Sequence, residues 1–409
     1  MSANAPAAVA SPGVVQRSRD NLRAGNIGSL PVIFVLVIIV VYFYFTADNF
    51  FTAVNFNNII SQMAGMTLLA YGVVFVLLIG EIDLSISYIS GVAGVIVAEL
   101  TLPAESTGRP FWAPFHVPGL LAIFIAIAVC ALIGAFQGSF VALIGVPSFV
   151  VTLAGFEIWQ GVIQNNIPQG VIVIQENVIN NTATYFFSDL GGWIIAAVVI
   201  GVYVAAVLSG VLSSRRHGVA VRDPLLIVLK LLAVAVVTCV VVAICNRDRG
   251  VPFALLLLIA ALLVLTFLAK RTLFGRHVYA VGGSAEAARR AGINVPRVRI
   301  LVFMISGAMA GLGGIVLAAR LQSVDLQAGG GTLLLDAIAA AVIGGTSLFG
   351  GRGEVRNALF GALVIATISN GLQTQNRRAG TIFIATGLIL LFAVTLDTVL
   401  RRRQVKAGR

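Results

Sequence analysis

Apolar runs of about 20 residues recur from Leu30 almost to the C-terminus, and this repetition limits the chain more than any other feature. At 1.5 Å rise per residue, such a run matches the ~30 Å hydrocarbon thickness of a bilayer. Strands of a membrane barrel would instead show ~10-residue alternating segments, which are absent here. The reading is an all-α, polytopic transmembrane helical bundle. Composition agrees, since only 11% of the 409 residues are charged and 59% are hydrophobic. A soluble domain carries about 25% charged residues.

The net charge of +11 raises the question of nucleic acid. Its placement argues against that partner, because Arg and Lys sit between apolar runs without a basic face of interleaved aromatics. Most of the 27 basic residues fall into five groups: Arg17–Arg23, Arg215–Arg222, Lys270–Arg299, Arg352–Arg356 and Arg401–Arg409. Loops rich in Lys and Arg face the cytoplasm, so these groups assign one side. Twelve spans are predicted, at 30–46, 58–80, 83–101, 119–144, 148–165, 191–213, 224–245, 252–270, 300–319, 333–350, 357–376 and 380–400. Both termini then lie inside, with a tail at 1–29, a membrane body at 30–400 and a basic tail at 401–409. Arg401-Arg402-Arg403 reads as an anchor beside anionic lipid. The basic residues before Leu30 resemble a signal peptide, but no small-x-small cleavage site follows Phe45, so a retained first helix is expected.

Two Gly-rich turns interrupt the apolar pattern, Gly80-Glu81-Ile82-Asp83-Leu84-Ser85 and Gly344-Gly345-Thr346-Ser347-Leu348-Phe349-Gly350-Gly351. Either lies at a membrane face or breaks a helix within the bilayer. Ten crossings with re-entrant pieces therefore stand beside twelve. Each turn precedes a small-residue-rich helix, which points to an internal repeat or to ordinary close packing.

Segment 270–299 is the one sizeable cytoplasmic segment within the helical body. Ser284 is a plausible N-cap, Ala285–Arg290 has high helix propensity, and Gly292 closes the helix. A short amphipathic helix held by a Gly282-Gly283 turn is expected to protrude and dock a partner.

Glu286-Ala287-Ala288-x-x-x-Gly292-Ile293 is similar to the coupling motif of ABC importer permeases. Its frame from Gly275-Arg276 to Asn294 resembles the monosaccharide branch (ribose, xylose and arabinose permeases). Gly80-x-Ile82-Asp83-Leu84-Ser85 resembles that branch's Gly-Gly-Ile-Asp-Leu-Ser turn, with Glu81 in place of the second Gly. Val146-Pro147-Ser148-Phe149-Val150-Val151-Thr152-Leu153 and Leu335-Asp336-Ala337-Ile338-Ala339-Ala340 through Leu348 resemble two further elements, in the same order. The long stretch 214–250 makes the xylose subgroup the best resemblance. The resemblance implies a bacterial inner-membrane permease paired with a second copy. It implies that ATPase subunits dock around Arg276, Gly282, Gly283, Glu286, Ala287, Ala288 and Gly292, and that an extracytoplasmic sugar-binding protein delivers the substrate. ATP and Mg would be held by the ATPase, and no cofactor by this chain. The sequence agrees, having no Gly-x-x-x-x-Gly-Lys-Ser/Thr phosphate loop.

Polar residues inside a membrane are functional candidates, because a buried charge costs ~2.5–3.5 kcal/mol on insertion scales. Asp83, with Ser85, and Asp336 either cap the helices that follow or contact a sugar. Glu157 near Trp159 offers an acceptor and an aromatic face, or else lies near the outer interface. Thr346 and Asn370 complete the candidate translocation path, although isolated amides such as Gln137 and Asn370 also bond across helices. Cys130, Cys239 and Cys245 read as small core hydrophobes, and the scattered His116, His217 and His277 suggest no metal site. The polar loop 166–190 is the expected landing surface for a binding protein. Alternatives are an ABC permease for branched-chain amino acids or nucleosides, and an ion-coupled secondary transporter. The latter has no use for a coupling helix.

Overall fold

The computed structural model describes residues 30–103, 112–113, 115–167, 170–216 and 224–406. Expectations for the 1–29 tail, His217, Arg222 and residues 407–409 lie outside the described residues.

The helices are α1 (Leu30–Thr46), α2 (Ala53–Leu78), α3 (Ile86–Leu100), α4 (Gly119–Ser139), α5 (Ser148–Asn166), α6 (Asn177–Thr184), α7 (Asp189–Arg216) and α8 (Pro224–Cys245). They continue as α9 (Phe253–Arg271), α10 (Leu273–Gly283), α11 (Ala285–Arg290), α12 (Val295–Leu321), α13 (Leu333–Ile343), α14 (Val355–Thr374) and α15 (Ala379–Lys406). Helix α4 ends in a single π-helical turn, Phe140–Ile144. Among the described residues, seven helices are long and apolar enough to cross a membrane, and four shorter apolar helices accompany them. The chain is an all-α polytopic bundle. Two short antiparallel ladders decorate one end: β1 (Val171–Val173) on β4 (Ser323–Asp325), and β2 (Phe186–Phe187) on β3 (Val251–Pro252). The loop expected at 166–190 thus holds β1, α6 and β2. The opposite end gathers α10, α11 and many of the described Arg and Lys residues, and is called the basic face below.

Helices α2 and α12 are the centre. The apolar window of α2 is 89% buried, whereas those of α7 and α8 are 6% buried, so the latter pair is peripheral. Lipid tails are as apolar as leucine, so burial alone does not hold such helices together, and close van der Waals approach must. The sequence supplies it with glycine. A Cβ on Gly134 of α4 would lie 2.1 Å from Phe303 O of α12, and one on Gly307 of α12 would lie 2.1 Å from Cys130 O of α4. Gly307→Leu is therefore expected to lower the folded yield and the melting temperature of the solubilised protein. Overpacking a tight core costs typically ~1–3 kcal/mol. Gly161→Ala, where nothing lies within 4 Å, is the neutral control in the same melting assay.

The two Gly-rich turns behave differently. Segment 79–85 leaves α2 at the basic face and folds back into the bundle, carrying buried Asp83 and Ser85 with it. Segment 344–351 stays at the basic face, where Gly351 N donates to Leu78 O (2.9 Å), so it is no break inside the bilayer. The second interruption comes earlier, at 326–332. That segment, a series of turns with Gly329 and Gly331 at positive φ, runs from β4 along α3, so close that a Cβ on Gly91 would meet Ala328 O at 2.3 Å. The segment is only partly covered, with Leu326, Gln327 and Gly331 exposed and Ala328, Gly329 and Gly330 half-buried. Helix α13 begins where predicted but ends at Ile343 rather than 350, because the Gly344-Gly345 turn closes it. The pairs α2–α3 and α13–α14 both run to the basic face, turn and return, which agrees with the repeat reading in direction but not in helix length.

Candidate coupling segment and polar interior

Four local signals build the segment at the basic face. Thr272 caps α10 by accepting from Gly275 N (3.1 Å), and Ser284 caps α11 by accepting from Ala287 N (3.2 Å). Gly292, at φ +83°, ends α11 in a conformation that a side chain would strain. Asn294 then caps α12 through Arg297 N (3.0 Å). The expected Gly282-Gly283 turn is instead the last turn of α10, a helix whose amphipathic pattern in Phe274, Val278 and Val281 went unread. On α11, Glu286 is exposed and pairs with Arg290 (3.0 Å) and Arg289 (3.7 Å), while Ala288 is buried and pins the helix to the bundle. Arg276, Ala287 and Gly292 are exposed on the same face. The arrangement presents a short charged helix on a firm base.

The base is tied to both turns of the bundle. Tyr279 Oη donates to Gly353 O (2.8 Å), and the Tyr279 hydroxyl is pushed up in pKa by burial and then by nearby Glu354. Lys270 Nζ lies 2.5 Å from Glu354, and Arg356 also pairs with that carboxylate. Burial pushes Glu354 up, but the two cations more than offset it and hold the carboxyl below its usual range. Arg299 Nη2 reaches Glu81 (3.1 Å) in the first turn. Gly282 lies so close to Leu78 O that a Cβ would come within 1.7 Å. None of Lys270, Tyr279, Glu354, Arg299 and Glu81 stood out as functional in the sequence, because each partner is distant along the chain.

Deeper in, Asp83 is fully engaged. Its Oδ1 accepts from Ser85 N (3.0 Å) and Ser85 Oγ (2.7 Å), and its Oδ2 accepts from Ser306 Oγ (2.8 Å) of α12. Ser85 Oγ is also 2.8 Å from the Gln137 amide oxygen, while Gln137 Nε2 has no partner. Turning that amide over gives the single hydroxyl hydrogen one acceptor and gives Gln137 a donor bond. Thr152 and Ser148 of α5 hold the backbone of Ile82 (3.3 and 3.2 Å). Asp83 therefore joins α3, α4, α5 and α12 through the turn it sits in.

The other candidates separate. Asp336 lies within the first turn of α13 rather than at its cap, and accepts from Thr332 Oγ1 (2.7 Å). Thr346 is buried in the basic-face turn against Gly353. Asn370 Nδ2 reaches across to Gln62 on α2 (3.4 Å), as expected of an interhelical amide. Glu157 is exposed midway along α5, whereas Trp159 is half-buried and points to another part of the helix surface. The aromatic pair closest in chain position to Glu157 is Phe156 with Tyr88 (4.5 Å, edge to face). Gln327 and the Tyr88 hydroxyl both lie near Gly330, so segment 326–332 meets α3 at polar groups. Among the described residues no group of His, Cys, Asp or Glu could hold a metal ion, and all three cysteines are free.

A family model described as "branched-chain amino acid transport system / permease component" matches residues 55–396. The chain belongs to this permease family. It is 34% identical to the xylose transport system permease protein XylH of Escherichia coli (strain K12) over 388 residues, 94% of this chain and 95% of that one. XylH of Haemophilus influenzae is 33% identical over 390 residues, covering 92% and 98%. The ribose import permease protein RbsC of E. coli K12 is 29% identical over 351 residues, covering 86% and 88%. No solved structure matches. Family membership makes the chain a permease component of a transport system rather than an enzyme.

Proposed function

We propose that this chain is the membrane-spanning permease of an ATP-driven importer for a monosaccharide, with a xylose-like pentose as substrate. The observation that carries the mechanism is the α10–α11 segment: an exposed, capped, charged helix wired directly into both turns of the bundle. Full-length similarity to permeases named for xylose supports the substrate class. The family description favours a second reading, a branched-chain amino acid permease.

The basic face lies in the cytoplasm in this reading, following the Lys and Arg asymmetry. Separate ATPase subunits bind ATP with Mg and grip α11. A second permease copy completes the pore, and a binding protein lands on the face carrying β1–β4 and α6. Glu157 is exposed midway along α5, a helix not among the seven long and apolar enough to cross a membrane, and an exposed carboxylate there favours a wet surface over lipid. Facing a wet path between two copies, it would offer an acceptor to sugar hydroxyls. Closure of the ATPase dimer moves α11 as a rigid body, and the ties at Glu354, Gly353 and Leu78 pass that displacement to both turns. Such discrete rigid-body steps switch access between the two sides.

The test is reconstitution with ATPase and binding-protein subunits in liposomes. Glu286→Ala with Gly292→Val is expected to reduce binding-protein-stimulated ATP hydrolysis by tenfold or more, a coupling loss of about 1.4 kcal/mol. Labelled xylose should enter in preference to ribose and leucine. Unchanged hydrolysis in the variant would sink the coupling role, and preferential leucine uptake would favour the second reading.

A further inference from the structure

Six ion pairs involve the described residues, and one is better shielded than the rest. Arg299 and Glu81 are 26% and 15% exposed at the side chain, against 37% and 29% for Lys270 and Glu354 and more for the pairs of α11. Arg299 sits near the start of α12, a few residues after the coupling helix, and Glu81 sits in the turn that folds back into the bundle. Ser306 lies seven residues beyond Arg299, two helical turns on and therefore on the same face of α12. Ser306 holds Asp83, two residues beyond Glu81. One helix thus grips two carboxylates of one turn at two depths, ~10 Å apart along its axis.

Two grips fix an orientation where one would leave a pivot. Helix α12 follows α11 through the short, capped link Gly292–Asn294, so displacement of α11 moves the Arg299 end first. The Asp83–Ser306 contact alone would let the turn swing about that point. Arg299 Nε is buried without a partner, so the guanidinium depends on Glu81 for this anchoring. We propose that Glu81 and Arg299 are a positioning pair, which makes segment 80–85 travel with α12 during the transport step. This rests on the ATP-driven reading above. The role is transmission and not sugar contact, since the pair lies at the basic face beside Leu78 and Gly80.

The experiment measures two quantities on the reconstituted permease–ATPase–binding-protein complex: ATP hydrolysis and labelled xylose uptake. Glu81→Gln and Arg299→Gln are expected to keep stimulated hydrolysis within about twofold while sugar carried per ATP falls roughly fivefold or more. The exchange Glu81→Arg with Arg299→Glu is expected to restore most of that ratio. A ratio at the wild-type level in both single variants overturns the proposal. So does a parallel fall of hydrolysis and uptake that the exchange does not repair, because that is what a merely stabilising ion pair would give. Absence of ATP-driven uptake in the wild-type complex would instead overturn the reading on which the pair depends.

Discussion

Asp83→Ala is expected to abolish uptake and to lower the melting temperature of the solubilised permease, whereas Asp83→Asn retains much of both. The carboxylate accepts three bonds from two serines, and all these groups are buried. Truncation removes a costly buried charge, which is a gain, but it strands the donors. Each unsatisfied buried donor costs ~1–3 kcal/mol, so three stranded donors cost ~3–9 kcal/mol together, which over most of that range exceeds the ~2.5–3.5 kcal/mol recovered from the charge. Asparagine keeps an acceptor for Ser85 and offers an amide to the Ser306 oxygen. Thermal melting in detergent reads the stability difference, and liposome uptake reads the functional one. Equal melting of the alanine and asparagine variants would show that the network contributes little.

The second large effect is expected at Gly282. A Cβ there would lie 1.7 Å from Leu78 O and 2.6 Å from Gly351 N, and both neighbours are backbone. No side chain can rotate away, so Gly282→Ala must separate α10 from the two turns and disturb the bond between Gly351 N and Leu78 O. We expect uptake to fall by tenfold or more, a loss of about 1.4 kcal/mol or more in coupling. The adjacent Gly283 has nothing within 4 Å of a Cβ, and Gly283→Ala should transport normally. The pair of measurements separates a contact point from general helix propensity, because both substitutions favour helix equally. Similar uptake by the two variants would refute the close-approach argument.

These two positions show what the sequence discloses and what it withholds. The coupling segment was legible because its determinants are local: Ser284 caps within three residues, and Gly292 closes eight residues later. The polytopic character was legible for the same reason, as length and hydropathy belong to one contiguous run. The count of twelve was not: among the described residues seven helices are long and apolar enough to cross, and the span expected at 148–165 is not one of them. The roles of Gly282 and Gly283 looked identical, because adjacent glycines differ only in what the distant chain brings against them. Ser306 reads as one more small residue in an apolar helix until Asp83, 223 positions earlier, is placed on it. The course of 326–332 was invisible too. Its Gly-rich polar composition suits any loop, and only the closeness of Gly91 to Ala328 lays it against α3. Glu81 sat in plain view as a departure from the resembled motif, yet its meaning depended on Arg299.

The peripheral pair α7 and α8 begins after β2 and ends before β3, and those two strands are bonded to each other, Phe186 opposite Pro252 and Phe187 opposite Val251. The excursion is therefore closed at its base. What happens along its length leaves the two stumps side by side, so the path of the chain before and after it is unaltered. Beyond that base the pair is anchored by a small cluster around Ile60, Ala196, Val242 and Cys245. A detour of this kind is where a lineage can lengthen, trim or redecorate a membrane protein without re-engineering its moving parts.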